Sequence, residues 1–188
     1  MRQLYSALLI ILVGVSITAC NHKPPKAKVQ TVPKLSYMMY TEANNSPDAT
    51  LFWASVPATD ALSWKEVSAG SMAIAAFDIY TFGRQWASVT VTSLPDTRPN
   101  VLANVNRWRR QINLPPVSNP SLFLGQFLNP NGLMMQTVRL ESANGFIYVA
   151  MFPLGTKTWY LKFQSASPRV PKETIESFEQ FLYDVQST

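Results

Sequence analysis

The spacing of apolar and polar residues divides the chain into stretches of different period. From residue 49 the pattern is first one of strands. Leu51-Phe52-Trp53-Ala54-Ser55-Val56, closed by Pro57, predicts one strand, and Trp64-Lys65-Glu66-Val67 alternates as a second. Met72 to Tyr80 is a longer run in which Ile74, Phe77 and Ile79 call for burial, while its alanines leave helix and strand both open. Trp86 to Thr92 alternates large apolar with small polar side chains, as a half-buried strand does, and Phe82-Gly83-Arg84 turns the chain ahead of it. The period then changes. Val101, Val105, Trp108 and Ile112 fall on one face of a helix, with Arg107 and Arg110 off that stripe. Pro99 suits the first turn of this helix, and Pro115-Pro116 stops it.

Residues 117–133 are harder to read: Asn119-Pro120 and Asn129-Pro130-Asn131-Gly132 are turn signals around the apolar Leu122 to Leu128. Three strands follow, Met134 to Glu141, Gly145 to Phe152 and Thr158 to Gln164, joined at Asn144-Gly145 and Gly155-Thr156-Lys157. A last helix runs from about Lys172 to Val185. It has Ile175, Phe178, Leu182 and Val185 on one face, and Glu173, Glu176 and Glu179 mostly in its first half, where the helix dipole favours acids. Three or four strands, a helix, three strands and a helix predict an α+β fold. Its mostly antiparallel sheet of about six strands is flanked by helices, and residues 49–188 form a single domain.

Ahead of that domain the chain reads differently. Arg2 precedes an apolar stretch, Leu4 to Thr18, that is shorter than the ~20 residues of a membrane-spanning helix. The stretch runs into Ile17-Thr18-Ala19-Cys20, which resembles the lipobox of bacterial lipoproteins. The resemblance implies a signal peptide over residues 1–19 and a lipidated Cys20. Residues 20–48 then form the lipidated cysteine and a flexible Lys/Pro-rich tether. Each buried acyl methylene contributes about 0.8 kcal/mol, and more than one chain gives stable anchoring, so the membrane is the first expected partner. Asn21 stands where many inner-membrane lipoproteins carry an aspartate, which favours the outer membrane, facing the periplasm. Residues 21–35 hold three prolines, four lysines and no acid, which is the composition of a spacer. Ser36-Tyr37-Met38-Met39-Tyr40 reads as an early edge strand, in preference to an apolar segment that docks on a partner.

The net charge of +5 belongs to these leading segments. Five of the 16 basic residues precede residue 36, and the remaining 11 share the rest of the chain with all 11 acids. A neutral domain has no electrostatic footprint for nucleic acid, despite the basic Arg107-Trp108-Arg109-Arg110. His22 is the only histidine and Cys20 the only cysteine, so neither a His-based triad nor a thiolate zinc site can be assembled. No cofactor motif is present. Asp60, Glu66, Asp78, Asp96 and Glu141 are dispersed, and solvated surface acids are the favoured reading over a glycosidase pair. Trp53, Trp64, Trp86, Trp108 and Trp159 lie within strand or helix patterns and read as core.

Four segments, taken in order, carry a further resemblance: Trp64 to Val67, Ser71 to Phe77, Ala103 to Pro116 and Thr158 to Phe163. They are similar to an uncharacterised family of exported planctomycete and verrucomicrobial proteins. This chain departs from that family at Ala73, often arginine there, and at Arg110 and Asn113, where glycine is frequent or usual. The resemblance implies the α/β/α sandwich of PsbP/Mog1-like proteins, whose members are accessory or binding proteins. The expectation is a non-catalytic, membrane-tethered module engaging an envelope protein through the helix face at Asn104, Asn106, Arg107 and Arg110. The alternative is a small-ligand or glycan-binding lipoprotein that uses an aromatic-lined sheet face.

Overall fold

The computed structural model describes residues 49–95 and 99–188. The signal segment, Cys20, the tether, the strand expected at Ser36 to Tyr40 and Asp96 lie outside the described residues. Seven strands form one antiparallel sheet: β2 (Leu62–Val67), β3 (Ala75–Thr81), β4 (Arg84–Leu94), β5 (Leu124–Leu128), β6 (Met134–Ser142), β7 (Gly145–Leu154) and β8 (Lys157–Ser165). Their order across the sheet is β2-β3-β4-β8-β7-β6-β5. A separate ribbon pairs β1 (Leu51–Phe52) with β9 (Gln186–Ser187) at the end of the chain. The helices are α1 (Val101–Gln111) and α2 (Lys172–Asp184). The fold is therefore α+β with the sheet dominant, and the main sheet has seven strands rather than about six. The extra strand is β5, in the region where turn signals obscured the pattern.

β7 explains the layering. Its residues are buried almost throughout, and successive side chains go to opposite faces. Phe146, Tyr148, Ala150 and Phe152 join a core with Phe178, Phe181 and Leu182 of α2. Ile147, Val149 and Met151 join a second core with Val105, Trp108 and Ile112 at α1. One helix thus packs on each face, but the coverage is unequal. The α2 core draws on residues from β2 through β4, β8, β7 and β6. The α1 core takes its buried strand residues from β6, β7 and β8 alone.

Several boundaries differ from the sequence expectation for local reasons. The first strand is two residues long because Trp53 leaves the ladder to pack edge-on against Phe77 and Phe181. The run expected from Met72 is a strand from Ala75. Met72 and Ile74 are exposed, not buried, because they belong to the loop that enters it. Pro99 does not sit in the first turn of α1. It precedes the N-cap Asn100, whose side chain accepts from Ala103 N–H at 2.9 Å. Nor do the prolines stop α1. Asn113 takes a left-handed conformation (φ 57°), its N–H donates to Arg110 C=O at 3.2 Å, and the Leu114 N–H donates to Arg109 C=O at 2.8 Å. These two bonds make a Schellman termination, with asparagine where glycine is commonest.

The end of α2 is held by a buried amide. The Asn129 side chain donates to the carbonyls of Leu182 (3.2 Å) and Val185 (2.8 Å) and accepts from the N–H groups of Asn131 and Leu133. Val185 is extended rather than helical, so the chain leaves α2 directly into β9. Near the start of α2, Thr174 bonds Thr81 of β3 at 2.7 Å. One turn on, the Trp64 indole N–H donates to Ser177 Oγ at 3.1 Å.

Candidate functional site at helix α1

Because α1 covers only part of its face, the same face of β4 remains partly open. Val89 and Val91 point into the α2 core, so Ser88, Thr90 and Thr92 point the other way, and all three are half-buried. Register places Gln164, Lys162 and Tyr160 of β8 directly opposite them. The result is a shelf of hydroxyl, amide and ammonium groups beside the helix.

Lys162 is the centre of this shelf. Its ammonium donates to Gln164 Oε1 at 2.7 Å and to Gln111 Oε1, on the last turn of α1, at 3.3 Å. Burial, reinforced by the positive charge of Arg107, lowers its pKa below the ordinary lysine value. Among the described residues the ion pair within reach is Lys172–Glu176 on α2, and Lys162 has no carboxylate partner. The lowered value reflects a half-buried ammonium with a like charge, Arg107, near it.

The four residues expected to form a surface fall into two pairs. Arg107 and Arg110 are exposed. Asn104 and Asn106 are half-buried and already engaged: Asn104 Nδ2 reaches Tyr160 Oη at 3.4 Å. Asn106 donates to Val117 C=O at 2.9 Å and accepts from Val117 N–H at 2.8 Å. Asn106 thus copies a strand pairing with its side chain and binds the chain that returns after the helix. The third arginine of the basic run behaves differently. Arg109 is buried, with Nε donating to Pro115 C=O at 2.7 Å and its guanidinium 4.8 Å from the Phe123 ring centre. Its position four residues after Val105 widens the apolar stripe and was a readable signal of burial.

Trp64, Trp108 and Trp159 are core residues. Trp53 is half-buried against the α2 core, while Trp86 is half-buried in neither core, with the Arg84 guanidinium 4.1 Å above its ring. The core expectation therefore fails for Trp86. Of the candidate acids, Asp60, Glu66 and Glu141 are exposed, Asp78 is half-buried opposite Lys65 and Ser88, and each belongs to a different segment. No cluster of metal-ligating side chains exists among the described residues. Guanidinium and ammonium groups beside hydroxyls can bind carboxylate or phosphate oxygens through charge-assisted hydrogen bonds.

No family model matches the chain, and no curated protein does. Among solved structures, a crystal structure of a protein from Bacteroides thetaiotaomicron VPI-5482 is similar at a TM-score of 0.36 and 10% identity. The similarity covers 66% of this chain and 42% of that protein, so the chain spans less than half its length.

Proposed function

We propose that this protein is a non-catalytic accessory module of the bacterial envelope. It is tethered through lipidated Cys20, faces the periplasm from the outer membrane, and binds an acidic surface of a protein partner with Arg107 and Arg110. The observation that carries this reading is the positive charge at α1, which no ion pair among the described residues engages. Arg107 and Arg110 are exposed, and Arg107 acts with burial to depress the pKa of Lys162. Arginine at an exposed helix face is a favoured anchor of protein interfaces. A helix on each face of an antiparallel sheet supports reading the domain as a PsbP/Mog1-like sandwich, an analogy of fold that does not itself assign function. The tether needs no cofactor, and the binding reading needs none either.

The test is site-specific photocrosslinking in intact envelopes, with the probe placed at exposed Ala103 on α1 or, on the opposite helix, at Glu176. The expected result is one defined adduct from position 103, lost when Arg107 or Arg110 is changed to Glu, and none from position 176. Equal adducts from both positions would defeat the proposal. A second reading, a small-ligand or glycan-binding lipoprotein, draws on Trp86, whose half-open ring lies under Arg84. A shift in tryptophan emission with a peptidoglycan fragment, abolished by Trp86→Leu, would favour it over the first.

A further inference from the structure

The two edges of the seven-stranded sheet are built differently. β2 carries Lys65 and Glu66, charges of the kind that discourage strand addition. β5 reads Leu124-Gly125-Gln126-Phe127-Leu128, with no charge, no proline and an unbroken register against β6. Leu128, at its end, is 59% exposed.

The direction of its backbone groups follows from the hairpin. The Asn129 N–H donates to Leu133 C=O at 3.1 Å, which makes that pair a hydrogen-bonded one continuing the β5–β6 register. Along an antiparallel pair such positions alternate, so Phe127 and Gly125 also bond toward β6. Leu124, Gln126 and Leu128 therefore direct their N–H and C=O groups outward, away from the sheet. The Leu124 N–H is taken by the Ser121 carbonyl in the 3₁₀ turn before β5. Among the described residues the Leu124 C=O and both groups of Gln126 and Leu128 have no backbone partner on that side, where the strand order ends.

The same five residues are self-complementary. An antiparallel second copy centred on Gln126 sets Gln126 opposite Gln126, Leu124 opposite Leu128, and Gly125 opposite Phe127. Two bonds would join the Gln126 residues reciprocally, and two more would run from each Leu128 N–H to the Leu124 C=O of the other copy. Every outward group but one carbonyl per chain, that of Leu128, is used, and no existing bond is broken. Apolar side chains meet apolar ones, the amides meet each other, and the bulk of Phe127 meets a residue with no side chain. Absence of charge removes the repulsion that like residues suffer across a two-fold axis.

We infer that β5 is a homodimerisation edge, joining two copies of this chain into one continuous antiparallel sheet. This surface is distinct from α1 and does not depend on the reading given for it. Sedimentation equilibrium of the full chain in density-matched detergent, with Gln126 variants, tests it. The wild-type chain is expected to be dimeric at micromolar concentration. Gln126→Lys and Gln126→Glu should each be weakened about tenfold or more by like charges on the axis, and an equimolar mixture should restore a dimer. Gln126→Pro removes an N–H that points away from β6, so it should abolish the dimer while leaving the unfolding midpoint nearly unchanged. A wild-type chain still monomeric at about 100 µM would overturn the inference, whether or not β5 then accepts a strand from another protein. Dimerisation of the lysine and proline variants equal to wild type would overturn it as well.

Discussion

Helices α1 and α2 lie on opposite faces of one sheet and are held there by different means. α2 is an acidic helix with Glu173, Glu176, Glu179 and Asp184 against a single Lys172. It buries Phe178, Phe181 and Leu182 completely and is pinned near its start by Thr81 and Trp64 and at its end by Asn129. α1 has three arginines and no acid, covers only part of its face, and is held by the smaller core at Val105, Trp108 and Ile112 together with its caps and Asn106. The α2 face holds the larger core, whereas the α1 face leaves Arg107 and Arg110 exposed on the helix and the hydroxyls of β4 half-buried.

The largest effect that tests this comparison should come from Phe181→Ala. Phe181 is fully buried and sits among Trp53, Trp64 and Phe77, so its loss should cost about 3–5 kcal/mol in denaturant unfolding. A cost under about 1 kcal/mol would mean that the α2 face is not the main core. Asn129→Ala comes next. It strips two carbonyls and two N–H groups of a buried partner, and about 2–3 kcal/mol is expected. Hydrogen exchange should quicken first at Val185 and in the β1–β9 ribbon.

On the α1 side, Asn106→Ala should cost about 1–2 kcal/mol, since both groups of Val117 lose a half-buried partner. If partner binding survives in that variant while Arg107→Ala abolishes it, Asn106 is structural and the recognition surface narrows to the arginines. The smallest effects are in alkaline titration, where the faces should oppose each other. Lys162 has a lowered folded pKa, so protonated Lys162 burdens the folded state at neutral pH. That cost is relieved as pH rises from its folded pKa toward 10.5. Tyr148 has a raised pKa, from burial first and then Glu179, with Arg139 acting against them. Its neutral form favours folding, and that contribution is lost as pH rises above 10.0. Lys162→Gln should remove the alkaline gain and Tyr148→Phe the alkaline loss, both read from unfolding midpoints against pH. Arg107→Ala should move the Lys162 titration back toward its ordinary value without restoring it fully, because burial is the larger cause.

Legibility in the sequence followed how local the cause was. Trp86 to Thr92 lies inside β4, and β6, β7, β8 and both helices appear close to where their periodicity put them. The five-residue β5 has no alternation of its own to announce it, because Phe127 packs on one core and Leu124 on the other with a glycine between them. The basic run on α1 was visible, and the spacing of Arg109 from Val105 signalled its burial, but the partners that hold these residues were not legible. Arg109 is drawn inward by Pro115 and Phe123, and Asn106 is spent on Val117, contacts formed by chain that returns only after the helix has ended.

By itself the sequence determined the α+β class, the approximate bounds of most elements, and the neutrality of the chain beyond residue 36, because periodicity and charge are properties of neighbouring residues. Tertiary structure alone decided the order of the strands, the sealing of one face and the partial opening of the other. It also decided which groups hold Arg109 inside while Arg107 and Arg110 face water, and the pairing of the first strand with the last. Those outcomes depend on groups far apart in the chain meeting in space, and no local pattern encodes such a meeting.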